Sequence, residues 1–366
     1  MINLHGLILA DRSSRDLREL VMCRTSSSLP FAGRYRLIDF ALSNLQNAGV
    51  RDVGVVMQRN YSSLLDHIGS GKEWDMSRKR GGLKLLPPFT GSGEYEGIID
   101  ALENVRGYIE DIKQDYVAIM RGHLAASIDL ADVMYRHVKS GADVTAVCSE
   151  TTPEGSHHRF LVDEDGFVKE IMLRRTGPGE GVATLEVYIM SKEVLLGIIE
   201  RCDNALNHKF HRDGLGGLLA AGGKIAVYMH NDYAVHISSV NGYYKASMDM
   251  LDREKRNQLF PESRPVRTKG RSDVSTYYGD KSISRNSLVA DGCIIEGQLE
   301  NCVIFRGVRV GAGAVLKNCI IMQDTVISDG VELNYVISDK DAFISPDVTL
   351  SGSPRLPLVL PKGSKV

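Results

Sequence analysis

The sequence has no surplus of charge of one sign: 44 lysines and arginines stand against 46 aspartates and glutamates, a formal net charge of −2. A chain without a basic excess lacks the field that draws proteins to polyanions, so no nucleic-acid partner is expected. Long apolar runs are missing too. No stretch approaches the roughly 20 residues that cross a bilayer, which argues against a membrane span. The opening Met1–Gly6 carries no basic stretch ahead of an apolar core, so no leader is expected and the chain reads as cytoplasmic. The six cysteines (Cys23, Cys148, Cys202, Cys293, Cys302, Cys319) show no CxxC spacing. That speaks against a cysteine-held zinc or a redox dithiol and leaves buried free thiols as the expectation.

What is present is an ordinary globular mixture, 43% hydrophobic and 25% charged over 366 residues, long enough for two domains. From Met1 to about Met250, short β-branched runs alternate with helix-like segments. Leu4–Leu9 reads as a strand, Asp39–Ala48 as a helix stopped by Gly49, and Asp52–Met57 as a second strand. Tyr116–Met120, helix-like Asp129–Val138 and Asp143–Cys148 repeat the alternation. Such βαβ units imply an α/β, Rossmann-like domain with a mostly parallel sheet covered on both faces.

The tail has another period. Beyond the basic, proline-containing stretch Arg264–Arg271, apolar residues recur every six positions: Ile283, Val289 and Ile295; Ile304, Val310 and Leu316; Ile321, Ile327 and Leu333; Ile344 and Leu350. Six fits neither a helix nor an alternating strand; it fits hexapeptide repeats wound into a left-handed parallel β-helix, with a β-sandwich as the weaker alternative. Gly292, Gly297, Gly307, Gly311, Gly313 and Gly330 are expected at its corners. The chain therefore divides into an α/β domain over 1–250, a linker over 251–275 and a β-helix over 276–366.

The segment Phe31-Ala32-Gly33-Arg34-Tyr35-Arg36-Leu37-Ile38-Asp39-Phe40-Ala41-Leu42-Ser43-Asn44 closely resembles the F-G-G-K-Y-R-I-I-D-F-x-L-S-N motif of the ADP-glucose pyrophosphorylases, the glucose-1-phosphate adenylyltransferases. Tyr95–Asn104 is similar to their Y-x-G-T-A-D-A-V-x-x-N element, and Gly242–Met250 to S-Y-W-E-A-N-M-D-L. With the hexapeptide tail, the resemblance spans nearly the whole chain and implies a nucleotidyltransferase-like first domain.

The signatures that carry the family's chemistry are changed. Active members hold ATP phosphates with A-G-G-x-G-x-R-L, whose glycines let backbone N–H groups approach. In that register this chain has Asp11, Arg12, Ser13, Ser14, Arg15, Asp16 and Leu17, so the glycines are gone and Asp16 opposes the phosphates. The R-A-K-P element becomes Arg24-Thr25-Ser26-Ser27, keeping only Arg24. The two magnesium aspartates of active members fall at or next to His123 in Arg121-Gly122-His123-Leu124 and at His236 in His236-Ile237-Ser238-Ser239. Neutral imidazole is a poor ligand for so hard a cation. On the sugar-phosphate side the family lysine falls near Arg174, and Glu186 stands where A-S-M-G-I-Y has glycine. Tyr95, Gly97 and Asp100 survive as substrate-pocket equivalents.

The resemblance thus implies a regulatory subunit of the GlgD type with no catalytic residue retained. It would support ADP-glucose formation by assembling into a hetero-oligomer, a tetramer, with a catalytic subunit. No cofactor is expected in this chain, and magnesium belongs to the catalytic partner. His123 and His236 read as hydrogen-bonded or solvated rather than as a metal pair, and His157-His158 as an exposed loop. Arg34 and Arg36, aided by Arg267 or Lys269, are candidates for binding a sugar-phosphate effector, with a plain surface patch as the alternative. Three other functions stand beside this one: a divergent active enzyme, a stand-alone sensor or scaffold, and a hexapeptide acyltransferase. The last needs a histidine base on the β-helix, whereas all ten histidines lie at or before His236.

Overall fold

The computed structural model describes residues 3–10, 14–78, 81–88, 97–150, 156–176, 179–203 and 209–366. By packing, the chain forms two compact units. The first comprises Met1–Arg12, Ile38–His236 and Leu259–Arg267; the second comprises Ser13–Leu37, Ile237–Gln258 and Thr268–Val366. Division by packing therefore differs from division along the chain. Two segments early and late in the α/β region fold onto the β-helix, because their apolar residues, Leu17, Leu20, Phe31 and Tyr243, are buried there.

The first unit is built on a nine-stranded sheet. Leu83–Leu86, Val53–Met57, Leu4–Ala10 and Tyr116–Arg121 run parallel to one another. Val182–Ser191 then pairs antiparallel with Tyr116–Arg121, with Val144–Ser149 and with Ser156–Val162, so the sheet is mixed rather than uniformly parallel. Both faces are covered. Along the first strand Leu7 and Leu9 enter one apolar core, while Leu4, Ile8 and Ala10 enter the other, as a two-residue period requires.

The helices follow local signals. Leu130–Ser140 begins where the Asp129 side chain accepts from the N–H groups of Ala131 and Asp132 and ends at Gly141 in the left-handed region, φ 62°. Ile38–Asn47 ends at Gly49. The polar residues of the long family-like segment are structural here: Asn44 donates to Ala126 O at 2.9 Å and accepts from Ile128 N at 3.1 Å, and Ser43 accepts from Arg267 N at 2.9 Å.

The second unit's tail forms three five-stranded parallel sheets, one strand from each sheet per coil: a triangular left-handed β-helix. Its inward columns are Ile295–Val310–Ile327–Ile344, Leu299–Leu316–Leu333–Leu350 and Val289–Ile304–Ile321–Ser338–Leu360. Each inward aliphatic contributes about 1.5–3 kcal/mol by burial. Ile283, expected to point inward, is 41% exposed, because Ser284 takes the place that pairs with Leu299. The glycine corners divide by cause. Gly292, Gly307, Gly313 and Gly330 have φ between 69° and 75°. Gly311 instead has no room for a Cβ, which would lie 2.3 Å from Asp329 Oδ1. A further corner is an asparagine ladder unforeseen from the spacing: Asn286 donates to Asn301 at 2.7 Å, Asn301 to Asn318 at 3.4 Å, and Asn318 to Asn334 at 3.1 Å. Five cysteines are buried, whereas Cys23 is exposed.

Candidate functional site

In the first unit, four histidines and one carboxylate gather at the ends of several strands. The strand Tyr116–Arg121 delivers Arg121, and Gly122 turns the chain so that His123 precedes Leu124–Ala126. That short strand pairs antiparallel with Ala234–His236, with His236 opposite Leu124. The rings of His123 and His236 consequently lie 5.5 Å apart, centroid to centroid.

Glu186 enters from Val182–Ser191. The ladder with Val144–Ser149 slips there, from Thr184 opposite Cys148 to Val187 opposite Val147, so Leu185 and Glu186 form a bulge. Glu186 has φ 51°, the left-handed region that favours glycine. The backbone therefore keeps a glycine-like conformation at the position where the family motif has glycine, and a carboxylate has been built onto it. Its N–H donates to Thr184 Oγ1 at 3.0 Å, and its carboxylate accepts from Arg121 Nε at 2.7 Å. The two side chains are only 15% and 22% exposed, so the pair is poorly screened. Burial pushes the Glu186 carboxyl upward, but Arg121, followed by His211 and His236, overcomes this and holds it well below the usual carboxylate range. Burial, reinforced by Arg121, lowers His123 to about 4, so it is neutral at pH 7.

His211 sits in a π-helical stretch, Phe210–Leu215, steadied by the Asp213 carboxylate, which accepts from Lys209 N at 2.9 Å. His211 Nε2 lies 2.7 Å from the hydroxyl of Tyr188, itself 3.0 Å from Thr184 Oγ1. The ring of His158 stacks on that of His211, with centroids 3.7 Å apart. The expected exposed loop at His157-His158 is instead the strand Ser156–Val162, and His158 is half-buried.

The phosphate-loop region is equally altered. Asp11 and Arg12 lie outside the described residues. Ser14 caps a 3-10 helix, Arg15–Val21, accepting from Asp16 N at 3.3 Å, and Leu17 and Leu20 are fully buried in the second unit. A helix anchored by two leucines replaces an open glycine arch. Arg18 is held at φ 45°, ψ −119°. Asp16 is exposed on a cleft of about 670 Å³ that it lines with Arg18, Glu19, Asn241 and Arg355.

The surviving positions divide in the same way. Arg24, expected at the substrate pocket, is buried in an ion pair with Asp339 of the β-helix at 2.9 Å. Its charge is met within the second unit. Gly97 is extended (φ −161°), a conformation open to any residue, at the start of the helix Ile98–Asn104, which carries Asp100. Tyr95 lies outside the described residues, as does the side chain of Arg174, whose backbone belongs to the strand Val168–Thr176.

Among the effector candidates, Arg267 falls in the first unit and Arg34, Arg36 and Lys269 in the second. Arg34 and Arg36 sit on a hairpin, Pro30–Phe31 with Tyr35–Arg36, tied down by Tyr243, whose hydroxyl donates to Pro30 O at 2.9 Å. The same unit adds a residue that the sequence did not single out, Lys340. Burial, then Arg36 and Arg24, push its ammonium down to about 7. No simple motif announces it: Lys340 is a corner residue of one β-helix coil.

Two family models match the chain, nucleotidyl transferase over residues 5–252 and the GlmU-like C-terminal hexapeptide over residues 273–354. Curated relatives match over most of both lengths. The Glycogen biosynthesis protein GlgD of Bacillus subtilis is 35% identical over 318 residues, covering 85% of this chain and 82% of the relative. The protein of the same name from Geobacillus stearothermophilus is 36% identical over 320 residues, with 85% and 82% covered. The glucose-1-phosphate adenylyltransferase of Halalkalibacterium halodurans is 31% identical over 317 residues, covering 84% and 82%. The chain belongs to the ADP-glucose pyrophosphorylase family. Within it, the chain is of the GlgD type.

For an ADP-glucose pyrophosphorylase fold, the residues that sequence reasoning missed are those that reach the site from afar. Arg121 was visible beside Gly122-His123, yet nothing along the chain pairs it with Glu186, 65 positions away. His211 and Tyr188 join the cluster only through the bulge and the π-helical turn.

Proposed function

We propose that this chain is a regulatory, catalytically impaired subunit of glucose-1-phosphate adenylyltransferase, acting in glycogen biosynthesis by assembling with a catalytic subunit in a hetero-oligomer. The observation that carries the reading is the content of the strand-end cluster. Imidazoles, His123 and His236, occupy the positions where the family's magnesium carboxylates are expected, and the Arg121–Glu186 pair lies close enough to His123 to act on its charge.

Phosphoryl chemistry of this class needs cations that screen the phosphates and carboxylates that hold magnesium. In this chain, neutral His123 supplies no negative charge for a hard cation. Glu186 is committed to Arg121 and repels an approaching sugar phosphate, and the segment after the first strand lacks the glycines that let backbone N–H groups cradle phosphates. What remains is a folded partner surface and, in the second unit, a cationic hairpin. Such a subunit acts by favouring one conformational state of its partner, and only differential affinity for two states produces an effect. We assign the effector role to Arg34 and Arg36, with Lys340 as a third cation whose protonation an anion would promote.

The test is a three-way assay of ADP-glucose formation: this chain, the catalytic subunit, and the mixture, each with and without fructose 1,6-bisphosphate as the probe anion. The expected result is a mixture with a lower substrate KM or higher kcat than the catalytic subunit alone. A mixture that behaves as the catalytic subunit alone refutes the proposal. An unchanged effector response on replacing Arg34 with Ala refutes the effector assignment while leaving the subunit role standing. A stand-alone sensor is the second reading, favoured only by the cationic hairpin; absence of co-purification with a catalytic subunit would select it.

A further inference from the structure

Among the described residues, His158, Glu186 and His211 are the one set of three ligand-type side chains whose donor atoms all lie within 4.8 Å of one another. From this geometry we infer that His158, Glu186 and His211 form a binding site for a divalent transition metal ion of the zinc class, at a place where the sequence predicts no metal at all.

Three features support it. Two imidazoles and one carboxylate are a donor set that suits zinc and disfavours magnesium, which prefers oxygen alone. The hydrogen bonds around the cluster also bear on the tautomer of His211. If Glu186 N–H and Tyr188 O–H both donate to Thr184 Oγ1, the Tyr188 oxygen accepts from His211 Nε2, which places the ring proton on that nitrogen. A hydrogen bond on the far nitrogen that fixes the tautomer is the usual support of a metal-bound histidine. Finally, Glu186 sits on the bulge at φ 51°, and a carboxylate oxygen there lies within 4.8 Å of a ring nitrogen of each histidine.

Two features oppose the ion and shape the test. The rings of His158 and His211 are stacked, 16° from parallel, so their in-plane lone pairs do not converge. Binding must turn one ring and draw the donors in, since zinc–nitrogen bonds are about 2.0–2.1 Å. Arg121 also shares Glu186, and its positive charge repels the ion.

Isothermal titration of the full chain with Zn²⁺ tests the site, with Mg²⁺ as the hard-cation comparison. The expectation is one Zn²⁺ per chain and no Mg²⁺ binding at the same concentration. His158→Ala and His211→Ala should each weaken Zn²⁺ binding by more than about 100-fold, and Tyr188→Phe by roughly tenfold. Arg121→Ser should tighten it. The half-buried His158 tolerates truncation most readily, and a metal-free melting curve for each variant reports whether it folds. Absence of 1:1 binding overturns the inference. So does 1:1 binding that His158→Ala leaves unchanged, or Arg121→Ser weakening the ion as much as His158→Ala does. These outcomes bear on the metal site alone, because the regulatory reading needs no metal.

Discussion

The two units each gather charge, but they balance it differently. In the first, Arg121 faces Glu186 beside the neutral His123, and the cluster closes on itself. In the second, Arg24 is matched by Asp339, while Arg36 and the partly deprotonated Lys340 remain beside that pair. The first cluster stands where the family's chemistry is expected and supplies its own counter-ion. The second brings Arg36 and Lys340 near the Arg24–Asp339 pair, and the proposed effector role rests on those two cations. The proposed regulatory role rests on these two charge inventories rather than on the fold, which both units keep.

Breaking the balanced pairs should have the largest effect. Arg24→Ala strands Asp339, only 2% exposed, and is expected to cost about 3–5 kcal/mol of stability in denaturant unfolding. A smaller loss would mean that water reaches Asp339 and the pair is not buried. Next comes the bulge. At φ 51°, Glu186→Gly should unfold later than Glu186→Ala by about 1 kcal/mol, because both lose Arg121 while only glycine sheds the left-handed strain. Equal stabilities would show that the bulge has relaxed in the variants. The asparagine ladder gives a control remote from either charge cluster. Asn301→Ala, at φ 53° and with two ladder bonds, should cost about 1–2 kcal/mol, and Asn301→Gly less.

The last effect is on ligand affinity. Lys340 is pushed down to about 7 by burial, with Arg36, Arg24 and Lys362 adding to the depression and Asp339 opposing it. Below that pH the ammonium is charged and attracts an anion; above it the attraction fades. Affinity for fructose 1,6-bisphosphate at the hairpin should therefore fall roughly tenfold between pH 6 and pH 8. Lys340→Met should flatten the profile, and a profile that keeps its slope in that variant would remove Lys340 from the site.

Much of the fold was legible because its signals are local. The short apolar run Leu4–Leu9, the helix-like segment from Asp129 and the six-residue period of the tail each depend on near neighbours. The period misled only at Ile283, in the first coil, where no preceding coil constrains which residue turns inward. Altered site positions were also readable one by one, since each falls in a recognisable motif. Their pairings were not. Arg24 meets Asp339 across 315 positions, and Arg121 meets Glu186 across 65, and no periodicity encodes such meetings. His158 and His211 converge through a strand and a π-helical turn that composition does not announce.

The central claim is that the strand-end cluster cannot perform nucleotidyl transfer by itself. Purified chain, free of any catalytic subunit, is given ATP, glucose 1-phosphate and magnesium, and ADP-glucose is measured over long incubation. The account predicts no product above the enzyme-free control; sustained, magnesium-dependent turnover that is lost on replacing His123 or His236 with Ala would contradict it.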